Sequence, residues 1–163
     1  MFDPVRICEI LNEESVDYVI VGGFASLIHG SSLPTRDIDL VPSRQLGNLD
    51  RLATALRRMN AMIRTDREPV PATIDARFLA EMPLMLNLVT DHGDVDLTFE
   101  PSGPLIGFDG WHAGSVRVEI ADGVEISVAR LDDIIDSKRA ADRPKDRAAL
   151  PYLEQLREEL RST

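Results

Sequence analysis

Residues 36–41 read Arg-Asp-Ile-Asp-Leu-Val, and this stretch limits the possible folds more than any other. Acidic and apolar residues alternate with a period of two, the repeat of a β-strand, in which side chains at i and i+2 leave the same face. Asp37 and Asp39 therefore project together, while Ile38, Leu40 and Val41 are available for burial. Two like charges side by side repel, and each raises the other's pKa. A cation between them removes that cost. A donor set made only of oxygens favours a hard ion such as Mg2+ or Mn2+.

The flanking residues extend the pattern. Tyr18–Val21 is a short apolar, β-rich run, followed by Gly22 and Gly23 and then by a short helical stretch, Phe24–His29, with Gly30 as its expected C-cap. A strand, a glycine turn and a helix start bring bare backbone and free N–H groups close together, which suits a phosphate. Taken singly, an Asp-x-Asp pair on a strand edge or a Gly-Gly turn is ordinary. Their order and proximity, 14 positions from Gly23 to Asp37, make the combination informative.

Further along, Leu84–Thr90 and Asp94–Phe99 read as strands joined by a hairpin turn at Asp91-His92-Gly93. The second strand offers another acid. Asp94 and Asp96 share a face, so spacing does not choose between them. Asp94 sits beside the turn, where Gly-Asp is a normal pair. Asp96 lies inside the strand between Val95 and Leu97, where a charge has no cheap structural excuse, and the reading favours it.

Gly22-Gly23 at a helix start, then Asp37-Ile38-Asp39, then a later lone acid on a neighbouring strand, together resemble the DNA polymerase β-like nucleotidyltransferase superfamily. The wider frame, Gly22-Gly23-Phe24-Ala25, His29-Gly30 and Thr35-Arg36-Asp37-Ile38-Asp39-Leu40, resembles the small stand-alone bacterial members. Some of those are toxins or antitoxins, abortive-infection proteins among them. The resemblance covers residues 17–41 and 84–99 and extends to 131–147. It implies an α+β fold, a small mixed sheet flanked by helices with the acids on two neighbouring strands. It implies that Asp37, Asp39 and Asp96 are catalytic and hold Mg2+ or Mn2+, and that Gly22, Gly23 and Lys138 bind the nucleotide. The implied reaction moves a nucleoside monophosphate from a nucleoside triphosphate to a hydroxyl on an RNA end such as that of a tRNA, on a protein or on a small molecule. The alternative is a catalytically inactive, antitoxin-like binding partner. A third reading, a metal-dependent phosphohydrolase, fits the Gly-Gly turn less well.

Lys138 also stands out by position. It follows Leu131 by seven residues and Ile134 by four, on or beside the buried stripe of a helix over 131–141. A lysine there either snorkels to the surface or points into a cleft. His29 is expected to pack or cap, and Arg36 either to touch phosphate or to pair with a surface acid.

The chain has 163 residues, enough for one domain over 1–163 with its C-terminal helices from about 131. Its apolar runs fall far short of the roughly 20 residues that span a bilayer. Met-Phe-Asp-Pro at the start lacks the layout of a secretion signal. Cys8 is a lone cysteine on the apolar side of the first helix. A cytoplasmic location is expected. The formal net charge of -10 argues against general nucleic-acid binding, which needs clustered cations. One local exception, Lys138, Arg139, Arg143, Lys145 and Arg147, suits a nucleotide or one RNA end.

Elsewhere, Asp3-Pro4 should start a helix, Ser43 should cap another to about Met59, and Ala61–Arg64 should form a strand. Thr73 is the expected cap of a short helix. Pro101–Gly114, rich in glycine and carrying Trp111, reads as an irregular loop, where loop packing is favoured for the tryptophan over a base-stacking lid. A hairpin is expected over 116–128. Pro144 and Pro151 should break the C-terminal region into pieces, closed by a helix over 152–160.

Overall fold

Asp3 and Pro4 start the chain as their chemistry dictates. The Asp3 carboxylate accepts a 3.0 Å hydrogen bond from the Arg6 N–H, and Pro4 takes the first position of helix α1 (Pro4–Glu13). The structure, a computed structural model, describes residues 1–163. Helix α1 buries Ile7, Cys8, Ile10 and Leu11 and leads into β1 (Tyr18–Val21), buried throughout. Helix α2 (Gly22–Ile28) follows with no linker, and β2 (Asp37–Pro42) returns antiparallel to β1, pairing Tyr18 with Pro42 and Val21 with Asp39.

Helix α3 (Leu46–Arg58), a two-residue β3 (Met62–Ile63) and α4 (Ala76–Ala80) come next, then β4 (Met85–Thr90) and β5 (Gly93–Thr98), joined as the expected hairpin. Helix α5 (Gly107–Ala113), the hairpin β6 (Val116–Ala121) and β7 (Val124–Val128), α6 (Leu131–Ala141) and α7 (Pro144–Arg161) complete the chain. The sheet has seven strands in the order β3-β4-β5-β2-β1-β7-β6. Two pairings, β2 with β5 and β1 with β7, are parallel; the rest are antiparallel. This is the mixed α+β architecture expected. The apolar faces of β1, β2 and β5 and the inner stripes of α1, α3 and α6 share one core.

Four local expectations change. Helix α3 starts at Leu46, two residues late, because Asn48 is buried and bridges backbone atoms instead: its Oδ1 accepts from Asp17 N at 2.7 Å and its Nδ2 donates to Asp17 O and Ser43 O. Asp75, not Thr73, caps α4 by accepting from Phe78 N at 2.8 Å. The glycine-rich segment 101–114 contains a helix, α5, because Phe108, Trp111 and His112 sit at helical spacing and Trp111 is buried to 2% exposure. Helix α7 runs unbroken through Pro151. That ring lies on the exposed side, so the carbonyl it leaves unpaired meets water, while Asp146 and Leu153 face inward.

Candidate active site

The parallel pairing of β2 with β5 sets Asp37 opposite Asp94 and Asp39 opposite Asp96, all on the face away from the buried Ile38, Leu40, Val95 and Leu97. One carboxylate oxygen from each of Asp37, Asp39 and Asp96 lies within 4.8 Å of the other two. Asp94 is not in that group; its carboxylate turns to Arg64 at 3.1 Å. Asp96 also meets Arg64, whose Nη2 donates to Oδ1 at 2.8 Å.

Packing holds the acids close. Gly22 has φ +68, and a Cβ built on it would stand 2.3 Å from Asp39 Oδ2, so the backbone at the end of β1 touches the carboxylate only because no side chain intervenes. The Thr35 hydroxyl donates to the Asp37 carbonyl at 3.1 Å, with Asp37 Oδ1 at 3.2 Å, fixing the start of β2. A Cβ on Gly23 would lie 3.2 Å from that same hydroxyl.

The electrostatics are those of a site short of positive charge. Burial, reinforced by Asp37 and Asp96, pushes the Asp39 carboxyl up to about 7, against the pull of Lys145 and Lys138. Asp96 rises to about 6, chiefly through burial, with Arg64 opposing and Asp37 adding to the rise. Three crowded carboxylates with hard oxygen donors could hold a divalent ion.

The acids open into a cavity of about 750 Å3, within the size range of small-molecule sites. Gly22 and Gly23 contribute bare backbone to its wall, and Trp111 closes it from below with an indole N–H that has no partner. Lys138 and Lys145, from α6 and the first turn of α7, line it, as does exposed Arg36. Lys138 Nζ is 3.6 Å from Asp146 Oδ1, and Asp146 is fully buried. Burial alone would raise the Asp146 carboxyl, but hydrogen bonds from the Arg143 side chain and backbone, with the charges of Arg143 and Lys138, hold it below the usual range. Arg143 therefore pairs with Asp146, while Arg139 pairs with Glu154 and Asp136. Lys145 and Arg36 have no acid partner. His29 lies away from the cavity, its Nε2 2.7 Å from the Ala129 carbonyl, where it ties α2 to the end of β7.

Two residues of the cavity carried little signal in the sequence. Lys145 belonged to an undifferentiated basic run. Arg64 closes an expected strand, and only the register of β3, β4 and β5 brings it to the acids.

No family model matches the chain, and no curated protein matches it. Among solved structures, a candidate nucleotidyltransferase from Thermotoga maritima superposes with a TM-score of 0.52 at 15% identity, over 100% of this chain and 97% of that one. The likeness is one of fold: a mixed α+β sheet flanked by helices, like that of the Thermotoga maritima protein.

Proposed function

We propose that this protein is a metal-dependent nucleotidyltransferase that moves a nucleoside monophosphate from a nucleoside triphosphate to a hydroxyl acceptor, with residues 1–163 acting as one domain. The observation that carries this reading is the convergence of Asp37, Asp39 and Asp96 within 4.8 Å of one another, at a cavity whose other wall holds Lys138 and Lys145. Asp37 and Asp39 would hold Mg2+ or Mn2+, with Asp96 helping to hold a second ion. The bound ion would neutralise phosphate charge and stabilise an in-line displacement.

The chain's own residues supply the rest. Gly22 and Gly23 let the triphosphate approach the backbone. Lys138, Lys145 and Arg36 offset its negative charge. The acceptor oxygen attacks the α-phosphorus, the bond to the bridging oxygen breaks and pyrophosphate leaves. Asp96, ionised above about pH 6, takes the hydroxyl proton. The small basic wall on an acidic body suits one RNA end such as that of a tRNA, a protein side chain or a small molecule better than a long duplex. No helix is long and apolar enough to cross a membrane. A cytoplasmic toxin–antitoxin component, similar to abortive-infection proteins, is the proposed setting.

One observation favours a second reading. Arg64 already occupies an oxygen of Asp96, which would suit an inactive, antitoxin-like partner that keeps the fold as a binding surface. Incubation with each labelled nucleoside triphosphate, Mg2+ and cell RNA or lysate separates the two. Transfer of label that disappears in Asp37→Asn supports the enzyme. Absence of transfer with every nucleotide, together with equal Mg2+–nucleotide affinity in wild type and Asp37→Asn, sinks it.

A further inference from the structure

The row of side chains crossing the sheet at the acids has a member that the proposed chemistry does not use. Arg64 directly follows β3, and its backbone N–H donates to the Asn87 carbonyl at 3.0 Å. It therefore sits level with Asn87 on β4, Asp96 on β5 and Asp39 on β2. Its guanidinium spans two carboxylates, Asp96 through Nη2 at 2.8 Å and Asp94 through Nη1 at 3.1 Å. The two contacts are unequal. The first is an aligned hydrogen bond. The second is an ion pair only, since Nη1 is buried without an aligned acceptor. In the same row, Asn87 Oδ1 is buried and has no donor. A donor and an acceptor, both buried and both unpartnered, thus belong to residues that line the same cavity side by side.

Unpaired buried polar atoms are costly, so an arrangement that leaves two of them is held by something stronger. Here that is the charge of Asp96. Because a guanidinium keeps its proton at any ordinary pH, an ionised Asp96 is released only to a competing cation. We propose that Arg64 is an internal counter-ion that holds Asp96 until a cation claims it, and that the displaced guanidinium then rests on Asp94 and Asn87. Asp94 is on this account the anchor of Arg64 rather than a fourth ligand. The acid site then fills in steps: one ion at Asp37 and Asp39, where no cationic side chain is in ion-pair contact, and a second, weaker one that must displace Arg64 from Asp96. This rests on the metal-site reading above, and its test separates the two.

The measurement is a Mn2+ titration of the full chain without nucleotide, with free Mn2+ followed by electron paramagnetic resonance. Wild type should show a tighter and a weaker class. Arg64→Gln should tighten the weaker class by about tenfold or more, the scale of one charge-assisted hydrogen bond. Arg64→Lys, which keeps the charge but loses the fork, should fall between. Asp94→Asn should act in the opposite direction, because Arg64 then has only Asp96 to hold and yields it less readily. Opposite signs exclude a merely structural role, which would move both variants the same way, and tightening in Arg64→Lys, which keeps the charge, excludes a plain field effect. Equal Mn2+ binding in wild type, Arg64→Gln and Asp94→Asn, or shifts of the same sign, overturns the inference while leaving the metal site standing. Equal Mn2+ binding in wild type and Asp37→Asn overturns both. Should Arg64→Gln fail to fold, Arg64→Lys decides, since a weaker class unchanged in that variant overturns the inference.

Discussion

Asp39→Asn should stabilise the protein when metal is absent, and more so at pH 8 than at pH 5. The folded protein keeps its Asp39 proton up to about pH 7, whereas an unfolded chain releases it near 3.8. Between those values the folded state binds more protons, so stability is fully present below the lower value and is lost as pH rises through the upper one. The shift spans about three units, and each is worth about 1.4 kcal/mol, or ~4 kcal/mol in all. Rather more than a third is already lost by pH 5, which leaves ~3 kcal/mol between pH 5 and pH 8. Rotation of the partly exposed carboxylates toward water relieves some of it, for an expected gain in Asp39→Asn of about 2 kcal/mol. For a chain of this length that is ~4–8 °C in Tm. The assay is thermal unfolding in chelator at both pH values, followed by the fluorescence of Trp111, the only tryptophan. Mn2+ added at pH 8 should then raise the Tm of wild type and not that of the variant. A variant that is less stable than wild type at pH 8, or whose advantage is the same at both pH values, refutes the account of the acids as an uncompensated cluster.

The glycine turn makes a sharper steric prediction. Gly22→Ala meets both φ +68 and Asp39 Oδ2 at 2.3 Å and should cost about 2 kcal/mol or more in urea unfolding. Gly23→Ala, 3.2 Å from a hydroxyl that can turn, should cost less, and equal costs would sink the argument. Lys138→Ala should slow transfer on the order of a hundredfold with little change in Tm, because Arg143 still neutralises Asp146. Unchanged transfer with wild-type nucleotide affinity would return Lys138 to a structural role.

What the sequence discloses here follows the range of the forces involved. The shared face of Asp37 and Asp39 is a property of strand period and needs nothing beyond the strand itself. The position of Lys138 beside the buried stripe of α6 is likewise local, set by Leu131, Ile134 and Ile135. The hairpin of β4 and β5 announces itself by its turn residues. Helix α5 stays hidden because its glycines mask a helical period that only burial of Trp111 makes worthwhile. The continuity of α7 through Pro151 is hidden too, since local chemistry says break and only the solvated side of the helix permits otherwise. Arg64 is the extreme case. Nothing near it in the chain marks it, and its partners are fixed by the pairing of three strands.

The parallel seam between β2 and β5 has a consequence for how the molecule comes into being. Asp39 and Asp96 become neighbours only after the chain has passed through α3, β3, α4 and β4 and closed back on itself. Pairings of that sequence separation carry a large loop-closure cost and form late in folding. Local pieces such as the β4–β5 hairpin can assemble first, yet none of them holds the three acids together. The three-acid cluster is therefore a property of the completed sheet. A nascent or half-folded chain carries Asp96 apart from Asp37 and Asp39, so the proposed site is assembled only when the fold closes.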